Sequence, residues 1–241
     1  MKLHIFEETT STNDLAKGAE YGHGDAIWAH HQSAGRGQRG NKWSGGVGEN
    51  IAFSVVFEPI ALAASDQFVI SQIAALALHD TMAEYGVETR IKWTNDIYVG
   101  DKKLAGILIE NSLCDGVVTR SVVGIGLNIN QLQFDPSLPN PTSMAIVTSK
   151  SFDREEVLRR IHQKLMERIE SIDAEGVAES YRAHLYRIGE RHTYRRPSGE
   201  LFEATIEGVA QRGELLLREE CGALNGYLFR EVEFVIEGRE G

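Results

Sequence analysis

The chain has 241 residues, with 25 Lys+Arg against 35 Asp+Glu, so its formal net charge is −10. With 42% hydrophobic and 25% charged residues it has a globular composition, which excludes intrinsic disorder, and its length suits one large domain with or without a small appendix. The acidic balance argues against a general nucleic-acid binder, since phosphate contacts need a local Lys/Arg surplus. Cys114 and Cys221 lie far apart, outside any metal-ligand spacing, and suit a reducing compartment. The start, MKLHIFEETTST, carries two acids and no apolar signal region, and no apolar run reaches the roughly 18 residues of a membrane span. The expectation is a soluble, cytoplasmic protein with no membrane and no nucleic-acid partner.

In chain order, residues 3–6 read as a short strand, and Thr12 as the N-cap of a helix closing near Gly22. AIWAHH at 26–31 fits a strand, a glycine-rich loop runs from Gln32 to Glu49, and IAFSVVF at 51–57 is a second strand. A largely buried helix is expected over 66–85, stopped by Gly86. Strands follow at 89–93, 96–99, 104–110 and 117–129, with turns at Gly100-Asp101 and Asp115-Gly116. Three of the five prolines fall in 134–141, a loop. Asp153 with Glu156 resembles a capping box opening a helix to Ile172, whose stripe is Val157, Leu158, Ile161, Leu165, Ile169 and Ile172. Another helix covers 174–186. Beyond Gly189, short alternating segments near 191–195, 201–209, 214–218 and 226–236 suggest a small barrel, and a domain boundary near 188.

GRGQRG at 35–40 matches G-x-G-x-x-G, but the dinucleotide reading needs a helix opening from the loop. Gly45, Gly46 and Gly48 make the following NKWSGGVGEN a poor helix start. What remains is a cationic loop, with Arg36, Arg39 and Lys42 and no acid between Asp25 and Glu49. Its amides and guanidinium groups suit an anion and Trp43 offers a face to a purine; an exposed surface loop with solvated charges is an equal reading. KWTND at 92–96 suits a phosphate and its Mg²⁺, although on these residues alone a salt-bridged, Asn/Asp-rich turn is the favoured reading. Lys103, beside Ala105-Gly106 on an apolar strand, is costly if it points into a cleft without an anion; a strand-entry lysine beside exposed Lys102 is the other reading. GIGLNIN at 124–130 has the small residues of a close ligand approach, or of a strand packed tightly on a helix.

Together and in this order these segments resemble the biotin protein ligases: Ser11-Thr12-Asn13, the loop 35–40 with Trp43, KWTND at 92–96, KLAGIL at 103–108 and Gly-x-Gly-x-Asn at 124–128. The resemblance covers roughly 1–236. It implies an α/β (α+β) fold: a catalytic domain over 1–188, with a mixed sheet and flanking helices like the class II aminoacyl-tRNA synthetases and the lipoate ligases, then an SH3-like barrel over 189–241. It implies a biotin–[biotin carboxyl-carrier protein] ligase using ATP and Mg²⁺, which makes biotinyl-5′-AMP and passes the biotinyl group to a lysine of a biotin carboxyl carrier protein of acetyl-CoA carboxylase.

The same resemblance assigns Ser11, Thr12, Asn13, Gln32, Gly35, Arg36, Gly37, Gln38, Lys103 and Gly106 to biotin. Arg36, Arg39, Trp43, Lys92, Asn95, Asp96 and Asn128 fall to the nucleotide, Asp96 also to Mg²⁺, and Lys103 and Arg36 to catalysis. Gln38 stands where many bacterial members carry a second arginine, which bears on how well the adenylate is retained. The early Ser11 leads us to expect the monofunctional type, without the DNA-binding domain of the repressor members. Family members often pair as homodimers through sheet edges, and no such interface is readable here. A non-catalytic biotin or adenylate binder and a lipoate ligase are the rival readings.

Overall fold

The computed structural model describes residues 2–43, 45–58 and 62–236. Seven strands form one sheet: β1 (Leu3–Thr9), β2 (Ala26–Gln32), β3 (Ile51–Phe57), β4 (Arg90–Lys92), β5 (Asp96–Val99), β6 (Lys102–Cys114) and β7 (Val117–Leu127). Their order is β1-β2-β3-β7-β6-β5-β4. Only β1 and β2 run parallel among these pairs, and the others are antiparallel, so the sheet is mixed. The long β6–β7 hairpin turns at Asp115 and Gly116, both left-handed (φ 50° and 75°), as a tight two-residue turn of the right twist requires.

One face of this sheet is covered by α2 (Phe68–Glu84), α4 (Arg154–Glu170) and α5 (Ala174–Ala183). Helix α2 is apolar nearly all round because it lies between the sheet and the other two helices, burying Ile70, Ile73, Leu76 and Leu78 completely. Helix α4 buries Val157, Leu158, Ile161, Leu165 and Ile169. Asp153 caps its first turn by accepting from the amides of Glu155 and Glu156. The Glu156 carboxylate accepts from Tyr85 Oη, a partner outside the expected box. Ile172 is not part of the stripe: the helix ends at Glu170 and Ile172 is exposed.

A second, antiparallel sheet holds β8 (Arg191–Arg195), β9 (Leu201–Val209), β10 (Leu215–Glu219), β11 (Leu224–Tyr227) and β12 (Glu233–Phe234), in the order β11-β10-β9-β8-β12. The expected strand 226–236 is thus two strands on opposite edges. The chain reverses between them, where Glu231 N donates to Leu228 O and Arg230 takes φ 74°. Both sheets share one continuous apolar core, joined through Trp93, Tyr186, Phe234 and Ile236. Trp93 Nε1 donates to Gly213 O across that junction at 2.8 Å.

The early helix departs from expectation. Only α1 (Thr12–Leu15) forms, and Ser11, not Thr12, sits in the N-cap position, with extended backbone. Arg120 on β7 explains the early stop: its Nη2 donates to the carbonyls of Ala16, Gly18 and Tyr21, taking acceptors a longer helix would need. A further short helix, α3 (Met144–Thr148), follows the proline loop and was not anticipated.

Candidate active site

The open face of the sheet carries a cavity beneath the glycine-arginine loop. From α1 and the residue before it come Ser11, Thr12 and Asn13, and from β2 Gln32. The loop adds Arg36, Gly37, Gln38 and Trp43; the β4–β5 turn adds Asn95 and the start of β5 Asp96; β6 adds Lys103 and Gly106. These residues are far apart in sequence and meet because β2, β3, β7 and β6 lie side by side.

The polar floor is one hydrogen-bonded chain. Thr12 N donates to Gln32 Oε1 at 2.7 Å, which satisfies a first-turn amide that α1 cannot. Ser54 Oγ donates to Asn13 Oδ1 at 2.6 Å and lies 2.8 Å from Thr12 Oγ1. Asn13 Nδ2 donates to Glu110 Oε2 at 2.9 Å. Ser54 is wholly buried, so this network is rigid in a way that surface polar groups are not. Gly124 makes the arrangement fit: a Cβ there would lie 2.1 Å from Asn13 Oδ1.

The loop folds back on itself. Gly37 N donates to Asn41 O, and Trp43 N to Gly35 O, closing a small hairpin around a single 3₁₀ turn at Gln38–Gly40. This lays the Trp43 indole on the β7 backbone, where a Cβ at Gly126 would come within 2.2 Å of the ring. Trp43 also covers Gly106. The small residues of 124–126 therefore admit the chain's own Asn13 and Trp43 side chains.

Lys103 Nζ stands 2.6 Å from Asp96 Oδ1 and 5.8 Å from the Trp43 ring. Asp96 is the one carboxylate among the described lining residues. The turn that presents it is fixed by Asn95, whose Nδ2 donates to Ile107 O, and by Tyr181 Oη donating to Thr94 O. Gln38 Oε1 accepts from Thr94 Oγ1 at 3.2 Å, tying the loop to this turn. Arg36 Nη2 pairs with Asp14 Oδ1 at 2.6 Å and Glu110 Oε2 at 3.2 Å, and Lys17 joins the same two acids. Burial works against charge on Glu110 and Lys17, but the hydrogen bonds prevail. With Asn13, Lys17 and Arg36 around it, the Glu110 carboxyl lies below its ordinary range, and the Lys17 ammonium above its own.

Not every predicted residue reaches the cavity. Gly35 lies at the loop base rather than in the lining. Lys92 faces a neighbouring cleft with Arg195 and Arg196, its Nζ 4.6 Å above the Phe234 ring. Asn128 is buried and directs its Nδ2 to Thr142 O, outside the lining. The Arg39 side chain lies outside the described residues. Sequence reasoning missed Ser54, Asp14, Glu110 and Phe229. A lone serine inside IAFSVVF and a glutamate inside LAGILIE were the available signals; nothing in the sequence placed Phe229 beside the cavity.

The sequence profile of the Biotin/lipoate A/B protein ligase family matches residues 5–128. The chain is 33% identical over 232 residues to the biotin–[acetyl-CoA-carboxylase] ligase of Paracoccus denitrificans, covering 90% of this chain and 95% of that one. It belongs to the biotin/lipoate protein ligase family. The bifunctional ligase/repressor BirA of Escherichia coli (strain K12) is 30% identical over 172 residues, 70% of this chain; the chain spans about half (53%) of that relative. A structure of the Aquifex aeolicus biotin protein ligase in complex with biotin and ATP superposes with a TM-score of 0.80 at 23% identity, covering 97% of this chain and 99% of that one. The fold is therefore that of the biotin protein ligases, with a mixed α/β sheet and a small antiparallel C-terminal sheet.

Proposed function

We propose that the chain is an ATP-dependent biotin–protein ligase. The observation that carries this reading is the Lys103 ammonium, paired 2.6 Å from Asp96, in the same cavity as the polar floor and the cationic loop. Two anions must meet in the first step. A biotin carboxylate oxygen attacks the α-phosphorus of ATP, the α–β P–O bond breaks, and pyrophosphate leaves. Lys103, moving from Asp96 to the substrate oxygens, screens their repulsion and stabilises charge developing on phosphorus. In the second step a neutral carrier lysine attacks the acyl carbon, the acyl–phosphate bond breaks, AMP leaves, and the amine loses a proton.

In this reading Thr12 and Gln32 hold the polar ring end of biotin, with Ser11, Asn13, Gly37 and Gly106 shaping the space around it. Arg36 and Gln38 keep the loop over the adenylate, which shields it from water. Trp43 and Asn95 serve the nucleotide. Asp96 would hold the magnesium that arrives on the triphosphate, and the metal supplies charge neutralisation of the phosphates. The residues fit that role to the extent of one carboxylate, Asp96, which would offer the ion an oxygen ligand from the cavity lining. We extend the proposal to residues 1–188 as catalytic unit with 189–241 as its companion, to a carboxyl carrier domain as acceptor, and to a cytoplasmic location; no helix among the described residues is long and apolar enough to cross a membrane.

The test is incubation with biotin, MgATP and a carrier domain, reading pyrophosphate release and carrier mass. Pyrophosphate with a carrier gain of one biotinyl group is expected. Neither signal with biotin, or equal signals when lipoate replaces it, overturns the reading.

A further inference from the structure

Asp14 and Glu110 take no part in the reaction proposed above, yet they occupy the edge of its cavity. Glu110 Oε2 accepts from Asn13 Nδ2 at 2.9 Å and from Arg36 Nη2 at 3.2 Å, while Oε1 accepts from Lys17 Nζ at 2.9 Å. One carboxylate on β6 thus touches the floor of the cavity through Asn13 and the loop above it through Arg36. Asp14, on α1, grips the same Arg36 nitrogen at 2.6 Å.

The loop has little else to hold it. Between Arg36 and Lys42 no described side chain is buried, and Gly40, Asn41 and Lys42 are exposed. Beyond its own hairpin hydrogen bonds, the described side-chain ties of this stretch are Arg36 to the two acids and Gln38 to Thr94. Outside the Trp43 contact with β7, this stretch is held by its polar contacts.

We propose that Glu110 is a positioning residue that straps the glycine loop, through Arg36, to the Asn13 side chain of the cavity floor. Between the Trp43 indole, which packs on β7 at the loop's far end, and the buried Gly35 at its base, the segment is then held over the cavity chiefly by this ion pair, and floor and loop share one fastening. Anything that pulls Arg36 toward a substrate anion loosens the strap, and anything that moves Asn13 shifts it. The inference deepens the ligase reading and rests on it for the identity of the ligand; the strap itself is testable without ligand.

The experiment is endoproteinase Lys-C digestion of the ligand-free protein at Lys42, the one lysine between Gln32 and Glu49. Glu110→Gln keeps an acceptor for Asn13 but loses the charge facing Arg36, and cleavage should accelerate about threefold, the scale of a partly exposed ion pair. In an Arg36→Gln background the same change should add nothing, because its partner is already gone. Cleavage of Glu110→Gln at the wild-type rate, or an undiminished effect in the Arg36→Gln background, overturns the proposal. With biotin and MgATP, Glu110→Ala, which also strips Asn13 of its acceptor, should raise the biotin KM about tenfold beyond the Gln variant, a split a merely structural role would not produce. Equal KM values for the two variants remove the link to the floor. Absence of pyrophosphate release from biotin and MgATP by the wild-type chain sinks the ligase reading, while the ligand-free comparison still decides the strap.

Discussion

Gly124 and Gly126 sit two residues apart on one face of β7, and the same substitution should have opposite consequences at the two. An alanine Cβ at Gly124 would lie 2.1 Å from Asn13 Oδ1, and Asn13 cannot give way: it is 3% exposed, with fully buried Ser54 against it. Gly124→Ala therefore overpacks a closed site, at about 1–3 kcal/mol, and breaks the Ser54–Asn13 hydrogen bond, at about 1 kcal/mol. A total near 3 kcal/mol corresponds to a fall in Tm of about 6–12 °C for a chain of this size. At Gly126 the obstacle is the Trp43 indole, 2.2 Å from the new Cβ, but that ring is carried by a loop and can swing outward. Gly126→Ala should cost about 1 kcal/mol or less, a fall of about 2–4 °C, while shifting the tryptophan emission toward that of a solvated indole. Thermal melts followed by circular dichroism, with fluorescence in parallel, make the comparison. Equal Tm losses for the two variants, or a neutral Gly124→Ala, would refute the claim that one site is closed and the other yields.

Lys103→Ala should abolish pyrophosphate release with little change in Tm, because its partly exposed pair with Asp96 contributes at most about 1 kcal/mol; wild-type release would refute its role. Asn128→Ala should act first on stability, lowering it by about 1–3 kcal/mol by leaving the Thr142 carbonyl without its donor, and a variant of unchanged Tm would return Asn128 to the nucleotide. Arg160 and then Lys164 hold the Glu84 carboxyl down to about 2. A depressed folded value contributes stability that is present above the unfolded carboxylate range and lost as pH falls toward 2. The Tm of Glu84→Gln should therefore trail the wild type at neutral pH and converge with it in acid; a constant gap would sink the assignment. Arg36→Gly should let adenylate escape, read as biotinylation of bystander proteins, and labelling confined to the carrier would count against the retention role.

The strands were legible because their cues are local. IAFSVVF, the β6–β7 hairpin and its Asp115-Gly116 turn follow from alternation and turn chemistry alone. The ends of α1 were not, because Arg120, more than 95 residues away, collects the carbonyls that would have continued it. The same distance hid the division of 226–236, where a reversal at Arg230 sends the chain to the opposite edge of its sheet. For the cavity, the basic and amide residues announced themselves in the motifs, whereas Ser54 and Glu110 sit singly in apolar strands and gain meaning only once β3 and β6 flank β7.

The charge of the site follows from that same asymmetry. Read along the chain, residues 26–48 hold cations and no acid, which suggests an anion-binding loop with bare positive charge. In space the loop's Arg36 faces Asp14 and Glu110, and Lys103 faces Asp96. Arg36 and Lys103 thus each have a carboxylate of the protein within hydrogen-bond reach, delivered by β6, β5 or α1. An arriving carboxylate or phosphate competes with an internal partner instead of filling bare space, so part of its binding energy goes into rearranging ion pairs. Removing the internal acid should tighten anion binding and weaken control over where the cation points. Asp14→Asn should then bind inorganic pyrophosphate more tightly than the wild type while losing rate in the first step, and a variant that loses both would show that Asp14 serves the fold rather than the balance of charges.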